Sequence, residues 1–168
     1  MTETGDEQLT RTAPARRRPL AERTLNGAVR ALLRSPLHGV VSRRLLLITV
    51  VGRRTGTVYA HPVGYVVDDD GAVLVGSAAG WRRNLRAGEP VRLRLRGHER
   101  LASAEVIRDE GTAAVLYRTI LRRNPVHGRF AGIHAAADGA PDPEDLRRAL
   151  GRGAAVVRLR LDNQGEGR

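Results

Sequence analysis

Residues Leu45–Leu85 read LLLITVVGRRTGTVYAHPVGYVVDDDGAVLVGSAAGWRRNL, and three strands can be read from them. Leu45–Val51 is an uninterrupted apolar run, the pattern of a buried strand. Thr57–Val67 follows and ends at Asp68-Asp69-Asp70-Gly71, a turn signal from which Ala72–Gly76 returns as the other arm of a hairpin. No spaced series of oxygen ligands with a closing glutamate follows the aspartates, so the tip reads as a solvated turn rather than a calcium loop. Two loops interrupt the strands. Gly52-Arg53-Arg54-Thr55-Gly56 presents two guanidiniums and a hydroxyl between glycine hinges, and Ser77-Ala78-Ala79-Gly80-Trp81 is small, backbone-rich and closed by the only tryptophan. Loops of this kind on neighbouring strands form one anion-friendly cofactor site.

Downstream, Gly80–Ala87 reads as a short helix with Trp81 and Leu85 one turn apart. Val91-Arg92-Leu93-Arg94-Leu95-Arg96 alternates strictly, giving a strand with one apolar and one arginine face. The arginine row reads as a wet sheet face, with an anion-binding surface as the alternative. Gly97-His98 is the expected two-residue turn, glycine leading, before Arg100–Arg108 pairs back. Residues 109–123 form a helix with acids in its first turn, Arg122-Arg123 in its last, and Leu116, Ile120 and Leu121 as its buried stripe. Pro125 ends it, and a loop runs through Gly128, Gly132 and Gly139. Asp142-Pro143-Glu144-Asp145 is a helix start, Gly151 its end, and Ala154–Leu161 a last strand.

Upstream, residues 1–20 are polar, broken by Pro14 and Pro19, and read as a disordered arm whose Arg16-Arg17-Arg18 is solvated. A helix begins at Thr24, carries Leu25, Val29, Leu32 and Leu33 on one face and stops at Ser35-Pro36. The expected organisation is therefore an arm at 1–20, one domain at 21–162 and a frayed tail at 163–168. Some six strands, mostly joined by hairpins, with helices at the start, middle and end, define a mainly β (α+β) antiparallel barrel with accessory helices.

Composition narrows the chemistry. The 168 residues carry a formal charge of +11, and all 29 basic residues are arginine. Such a charge suits nucleic acid, anionic lipid or a multiply charged cofactor. Aromatics make up only 3% of the chain and are scattered, so the stacking platform of a single-strand binder is missing and nucleic acid loses ground. There is no cysteine, no apolar run of membrane-spanning length and no secretion signal at the N-terminus, which reads as a cytoplasmic protein. His38, His61, His98, His127 and His134 include no helical pair suited to zinc, so no metal is expected. A P-loop, a nucleophile elbow and a carboxylate pair are also missing. A chain without its own reactive groups works as an enzyme when a cofactor carries the chemistry.

Leu45-Leu46-Leu47-Ile48-Thr49, Gly52-Arg53-Arg54-Thr55-Gly56, Pro62-Val63, Val75-Gly76-Ser77-Ala78-Ala79-Gly80 and Trp81-Arg82-Arg83-Asn84-Leu85 occur in an order that resembles the deazaflavin-dependent nitroreductases, small proteins common in actinobacteria. The likeness covers roughly residues 25–108 well. It implies a split β-barrel of the FMN-binding, pyridoxamine-oxidase-like kind. It also implies coenzyme F420, whose reduced deazaflavin gives a hydride to a quinone, nitroaromatic or activated alkene.

Carried over to these positions, Arg53, Arg54, Thr55 and Gly56 hold the cofactor's phosphate and acidic tail. His61, Pro62 and Val63 line the ring; Ser77, Ala78, Ala79 and Gly80 lie against it through backbone amides; Trp81 and Asn84 brace it. Tyr65 faces the acceptor, to orient it or relay a proton. The plain alternatives are turn decoration for the arginines, a core plug for Trp81 and an ordinary strand residue for Tyr65. Gly80 abuts Trp81 directly, where family members carry a longer insertion with a proline, and Phe130 and His134 are the only stand-ins for the family's C-terminal tyrosines. The implied partners are the deazaflavin and a small hydrophobic electron acceptor, the implied assembly a monomer or homodimer. FMN in place of F420, a non-catalytic carrier, and an arm touching the inner membrane face stay open as alternatives.

Overall fold

The computed structural model describes residues 44–162; the expected arm, the helix from Thr24 and the tail at 163–168 lie outside those residues. Seven strands, β1 (Leu45–Val51), β2 (Val58–Gly64), β3 (Val66–Val67), β4 (Val73–Ser77), β5 (Val91–Leu95), β6 (His98–Ile107) and β7 (Ala155–Leu161), form one sheet in the order β2-β1-β5-β6-β7-β4-β3. Every pairing is antiparallel.

The two margins of this sheet are consecutive in the chain. β2 ends at Gly64, β3 begins at Val66, and Tyr65 alone joins them. A sheet whose opposite margins are one residue apart must curl until they meet, and the result is a split antiparallel barrel. Tyr65 N–H still donates to Arg44 O on the β1 side at 3.1 Å. From Val66 the ladder switches to β4, with Val66 opposite Leu74 and Val67 opposite Val73. β4 runs on to Ser77 paired only with β7, so the wall stays open between the far half of β4 and β2.

Alternation sorts the strands between two cores. Leu46, Ile48 and Val50 on β1, Leu93 on β5, Val73 and Val75 on β4, and Val157 and Leu159 on β7 fill the barrel, where Trp81 and Tyr65 join them. Leu74 on β4 and Val156 on β7 point the other way, under the helices α1 (Glu110–Arg123), α2 (Pro125–Ala131) and α3 (Pro143–Gly151). Both faces of β4 and of the first half of β7 are therefore covered, which explains the apolar runs Val73–Val75 and Ala155–Val157, whereas Arg158 and Arg160 restore alternation at the end of β7. Asp109 caps α1 by accepting Thr112 N–H at 2.8 Å, and Asp142 caps α3 by accepting the N–H groups of Glu144 and Asp145 at 3.0 and 2.9 Å.

Three local expectations need correction. The β5–β6 turn is Arg96-Gly97, not Gly97-His98, because Leu95 pairs with His98. Both turn residues are left-handed, with φ of 50° and 86°, the combination that matches the twist of the flanking strands. The segment after α1 is helical rather than a loop: Pro125 interrupts the chain but then occupies the first turn of α2, where its missing N–H costs nothing. The aspartate tip is not merely solvated. Asp68 Oδ1 accepts the N–H groups of Asp70 and Ala72, and the Asp69 carboxylate bridges Arg122 and Arg123 at the end of α1.

Candidate functional site

The β1–β2 loop and the short 3-10 helix Gly80–Asn84 face each other across a cleft of about 610 Å³. Gly52, Arg53, Arg54, Thr55, Tyr59, His61, Trp81, Arg83 and Asn84 line it. The loop is built locally. Gly52 N–H donates to Thr57 O at 2.8 Å, Gly56 N–H donates to Gly52 O at 2.9 Å, and Gly56 takes a φ of +65° that a side chain would strain. The loop is also fastened to the helix, since Arg53 N–H donates to Asn84 Oδ1 at 3.4 Å and Arg53 Nη2 to Leu85 O at 2.8 Å.

Aromatic rings line up along the cleft. Tyr59 and His61 lie two residues apart on β2, hence on one face, with centroids 6.2 Å apart and planes 23° apart. His61 and Trp81 continue the row at 6.4 Å and 26°. Burial of the His61 ring lowers its pKa below the ordinary histidine value, so at neutral pH it is an uncharged member of the row. The cleft thus offers flat apolar faces beside three guanidiniums.

A second cavity of about 310 Å³ lies behind the end of β4, against the helices. Its walls include Gly76, Ser77, Ala78, Tyr117, His127, Phe130 and Arg152. Tyr117 is buried, which raises its phenol pKa and keeps it protonated. His127 is lowered by burial, and its Nε2 has no hydrogen-bond partner among the described residues. The run Ser77–Asn84 contributes to both cavities. Arg82 pins the middle of that run: its Nε donates to Ala79 O at 3.1 Å and its Nη2 to Gly153 O, ahead of β7. Burial, with Arg108 nearby, lowers the Arg82 pKa, though a guanidinium remains charged throughout the physiological range.

Of the residues singled out in the sequence, Arg53, Arg54, Thr55, His61, Trp81 and Asn84 come together in the cleft, and Ser77 and Ala78 line the smaller cavity instead. Pro62 points away from the barrel on the exposed face of β2, Val63 is buried inside, and Gly56, Ala79 and Gly80 line neither cavity. Tyr65 is only 5% exposed, in the barrel core, and its hydroxyl accepts from Arg96 Nε at 3.4 Å, outside both cavities. Tyr59, Tyr117 and Arg152 carry no signal of their own in the sequence, Arg83 stands out only as part of Trp81–Leu85, and His127 only as a histidine unsuited to zinc. The i, i+2 spacing of Tyr59 and His61 was the one signal available for the aromatic row.

Among the described residues no group of three or more metal-ligating side chains occurs, and no helix is long and apolar enough to cross a membrane. The fold defines a split-barrel protein, and its cleft sets a row of aromatic rings beside three guanidiniums. Residues 11–132 match the F420H(2)-dependent quinone reductase family, and the chain belongs to that family.

No curated protein matches the chain. Among solved structures it is similar to a protein of unknown function from Agrobacterium tumefaciens, at 13% identity and a TM-score of 0.51 over 77% of this chain and 56% of that one. The chain thus spans little more than half of that relative, and the likeness is one of fold. A putative 5-nitroimidazole antibiotic resistance protein from Bacteroides thetaiotaomicron aligns at 12% identity and TM-score 0.48, over 73% of this chain and 75% of the other. A heme storage protein from Vibrio cholerae aligns at 15% identity and TM-score 0.45, over 78% and 91%.

Proposed function

We propose that this protein is an oxidoreductase that uses reduced coenzyme F420 to reduce a quinone, a nitroaromatic or an activated alkene. The observation that carries the reading is the Tyr59–His61–Trp81 row lying in the same cleft as Arg54, Arg83 and the Thr55 hydroxyl. A deazaflavin with a charged tail needs a flat contact for its ring and cations for its phosphate and carboxylates, and the cleft supplies both. Family membership supports the same cofactor.

When bound, the reduced deazaflavin supplies a hydride; the chain supplies binding, orientation and electrostatics. Tyr59 and His61, backed by the buried Trp81, hold the ring by its face, and Asn84 keeps the arginine loop against the 3-10 helix. The acceptor sits against the ring in the cleft itself, because a hydride passes only between groups in direct contact; the smaller cavity behind β4 shares no lining residue with the cleft. Its walls are mostly apolar (Phe130, Ala131, Ala149, Ala154), with the Tyr117 hydroxyl and the Arg152 guanidinium as donors. Ser77 and Ala78 line that cavity, and Arg82 holds the carbonyl of Ala79 that follows them. Tyr65, Pro62 and Val63 support the barrel and touch no ligand in this reading.

The test is to mix purified protein with reduced F420 and a soluble quinone and to follow the cofactor's absorbance and the fluorescence of Trp81. Saturable quenching and reoxidation well above the protein-free rate are expected. Absence of both overturns the proposal, and a protein that purifies yellow and holds FMN more tightly than F420 replaces its cofactor.

A further inference from the structure

We infer that Arg83 and Arg54 together grip the ligand's charged tail, while Arg53, the other half of the sequence's arginine pair, is a latch that sets the cleft. This rests on the deazaflavin reading and assigns the division of labour within its site. Arg53 is committed twice to the 3-10 helix, through its backbone N–H to Asn84 Oδ1 and its Nη2 to Leu85 O. Those bonds hold the β1–β2 loop in place and turn that guanidinium toward a carbonyl.

Arg54 and Arg83 have no such engagement. Both are exposed, both line the cleft, and among the described residues neither has a carboxylate within ion-pair distance. The neighbour of Arg83 shows that this is specific to the position. Arg82 is buried and bonded to the Ala79 and Gly153 carbonyls, so consecutive arginines are sent one inward as a strut and one into the cleft.

Thr55 lines the same cleft, and its hydroxyl oxygen accepts Thr57 N–H at 3.3 Å, which leaves its proton to donate. Two forked cations from different elements with a hydroxyl donor make a receptor for a phosphate carried with further acidic groups. Like charges gathered in one cleft without counter-charges also gain most from a multiply anionic ligand.

The experiment measures dissociation constants by Trp81 fluorescence for two ligands: the full cofactor, and a deazaflavin truncated at its ribityl alcohol, which keeps the ring and lacks the phosphate tail. Arg83→Gln and Arg54→Gln are each expected to weaken the full cofactor by about tenfold and to leave the truncated one unchanged. Arg53→Gln is expected to weaken both ligands and to speed amide exchange across residues 53–57, as an unlatched loop would. An Arg83→Gln protein that binds the full cofactor as tightly as the parent, or that loses both ligands equally, overturns the assignment while leaving the deazaflavin reading in place. If the parent protein binds neither ligand, both fall.

Discussion

Gly76 is a glycine because of what stands over it. A Cβ built there collides with His127 Nε2 and comes within 3.0 Å of the Tyr117 hydroxyl. Gly76→Ala is therefore expected to destabilise the fold by roughly 1–3 kcal/mol, and Gly76→Ala combined with His127→Ala should recover part of the loss. Equal chemical-denaturation midpoints for parent and Gly76→Ala would refute the contact.

His127 also makes stability depend on pH. Burial lowers its pKa below the free value of 6.5, so the unfolded chain binds the proton more readily than the folded one. That contribution is complete above about pH 6.5 and is lost as pH falls toward the folded pKa. His61 acts in the same direction. Urea unfolding at pH 7.5 and 5.5 should show a drop for the parent that is smaller in His127→Gln. At this scale the sequence was only partly legible. Arg54, His61 and Trp81 stand out by residue type and line one cleft, whereas Tyr117, His127 and Arg152 are brought to one cavity only by helices that fold back over β4. Tyr65, the single residue between β2 and β3, lies in the barrel core and outside both cavities, a placement set by the curl of the sheet rather than by its neighbours in sequence.

Among the elements, the β5–β6 turn carries a visible conflict. Arg96 sits at φ 50° ahead of Gly97, a left-handed position where asparagine is at ease and arginine is not. Arg96→Asn should raise stability by about 1 kcal/mol, at the loss of only the long 3.4 Å bond to Tyr65. A lower melting temperature would mean that the Tyr65 bond outweighs the backbone strain. The misplaced turn in the sequence reading has this origin, since Gly97 invites a glycine-first turn and only the cross-strand pairing of Leu95 with His98 excludes it. α2 was hidden similarly. Pro125 and Gly128 look like breakers, but Pro125 takes the first turn, and the buried Gly128 lies where a Cβ would strike Ile133 O and the Leu121 side chain. By contrast, the strands of 45–77 and the Asp142 cap were legible because local chemistry alone sets them, while Asp109, expected within the first turn of its helix, stands just before it as the cap.

For the molecule as a whole, β4 and β7 supply side chains to both cores, so the barrel and the helical layer share their walls. Loss of one should take the other with it. Trp81 fluorescence, which reports the barrel, and far-ultraviolet ellipticity at the helical band are expected to change at the same denaturant concentration. Two separated transitions would show the layers to be independent. The antiparallel barrel class was readable from hairpin spacing; its closure was not, because it depends on one strand serving both margins.

That shared strand at Val58–Val67 has a bearing on behaviour in a crowded solution. Valine- and leucine-rich strands aggregate when a long, flat margin is free to recruit another chain. Here the margins of the described sheet are two halves of a single bent strand: β3 is only two residues long, and the seven-residue β2 carries Pro62, a residue that blunts an edge. An incoming strand finds no straight template of useful length, so the fold keeps an aliphatic wall while discouraging fibrillar self-addition.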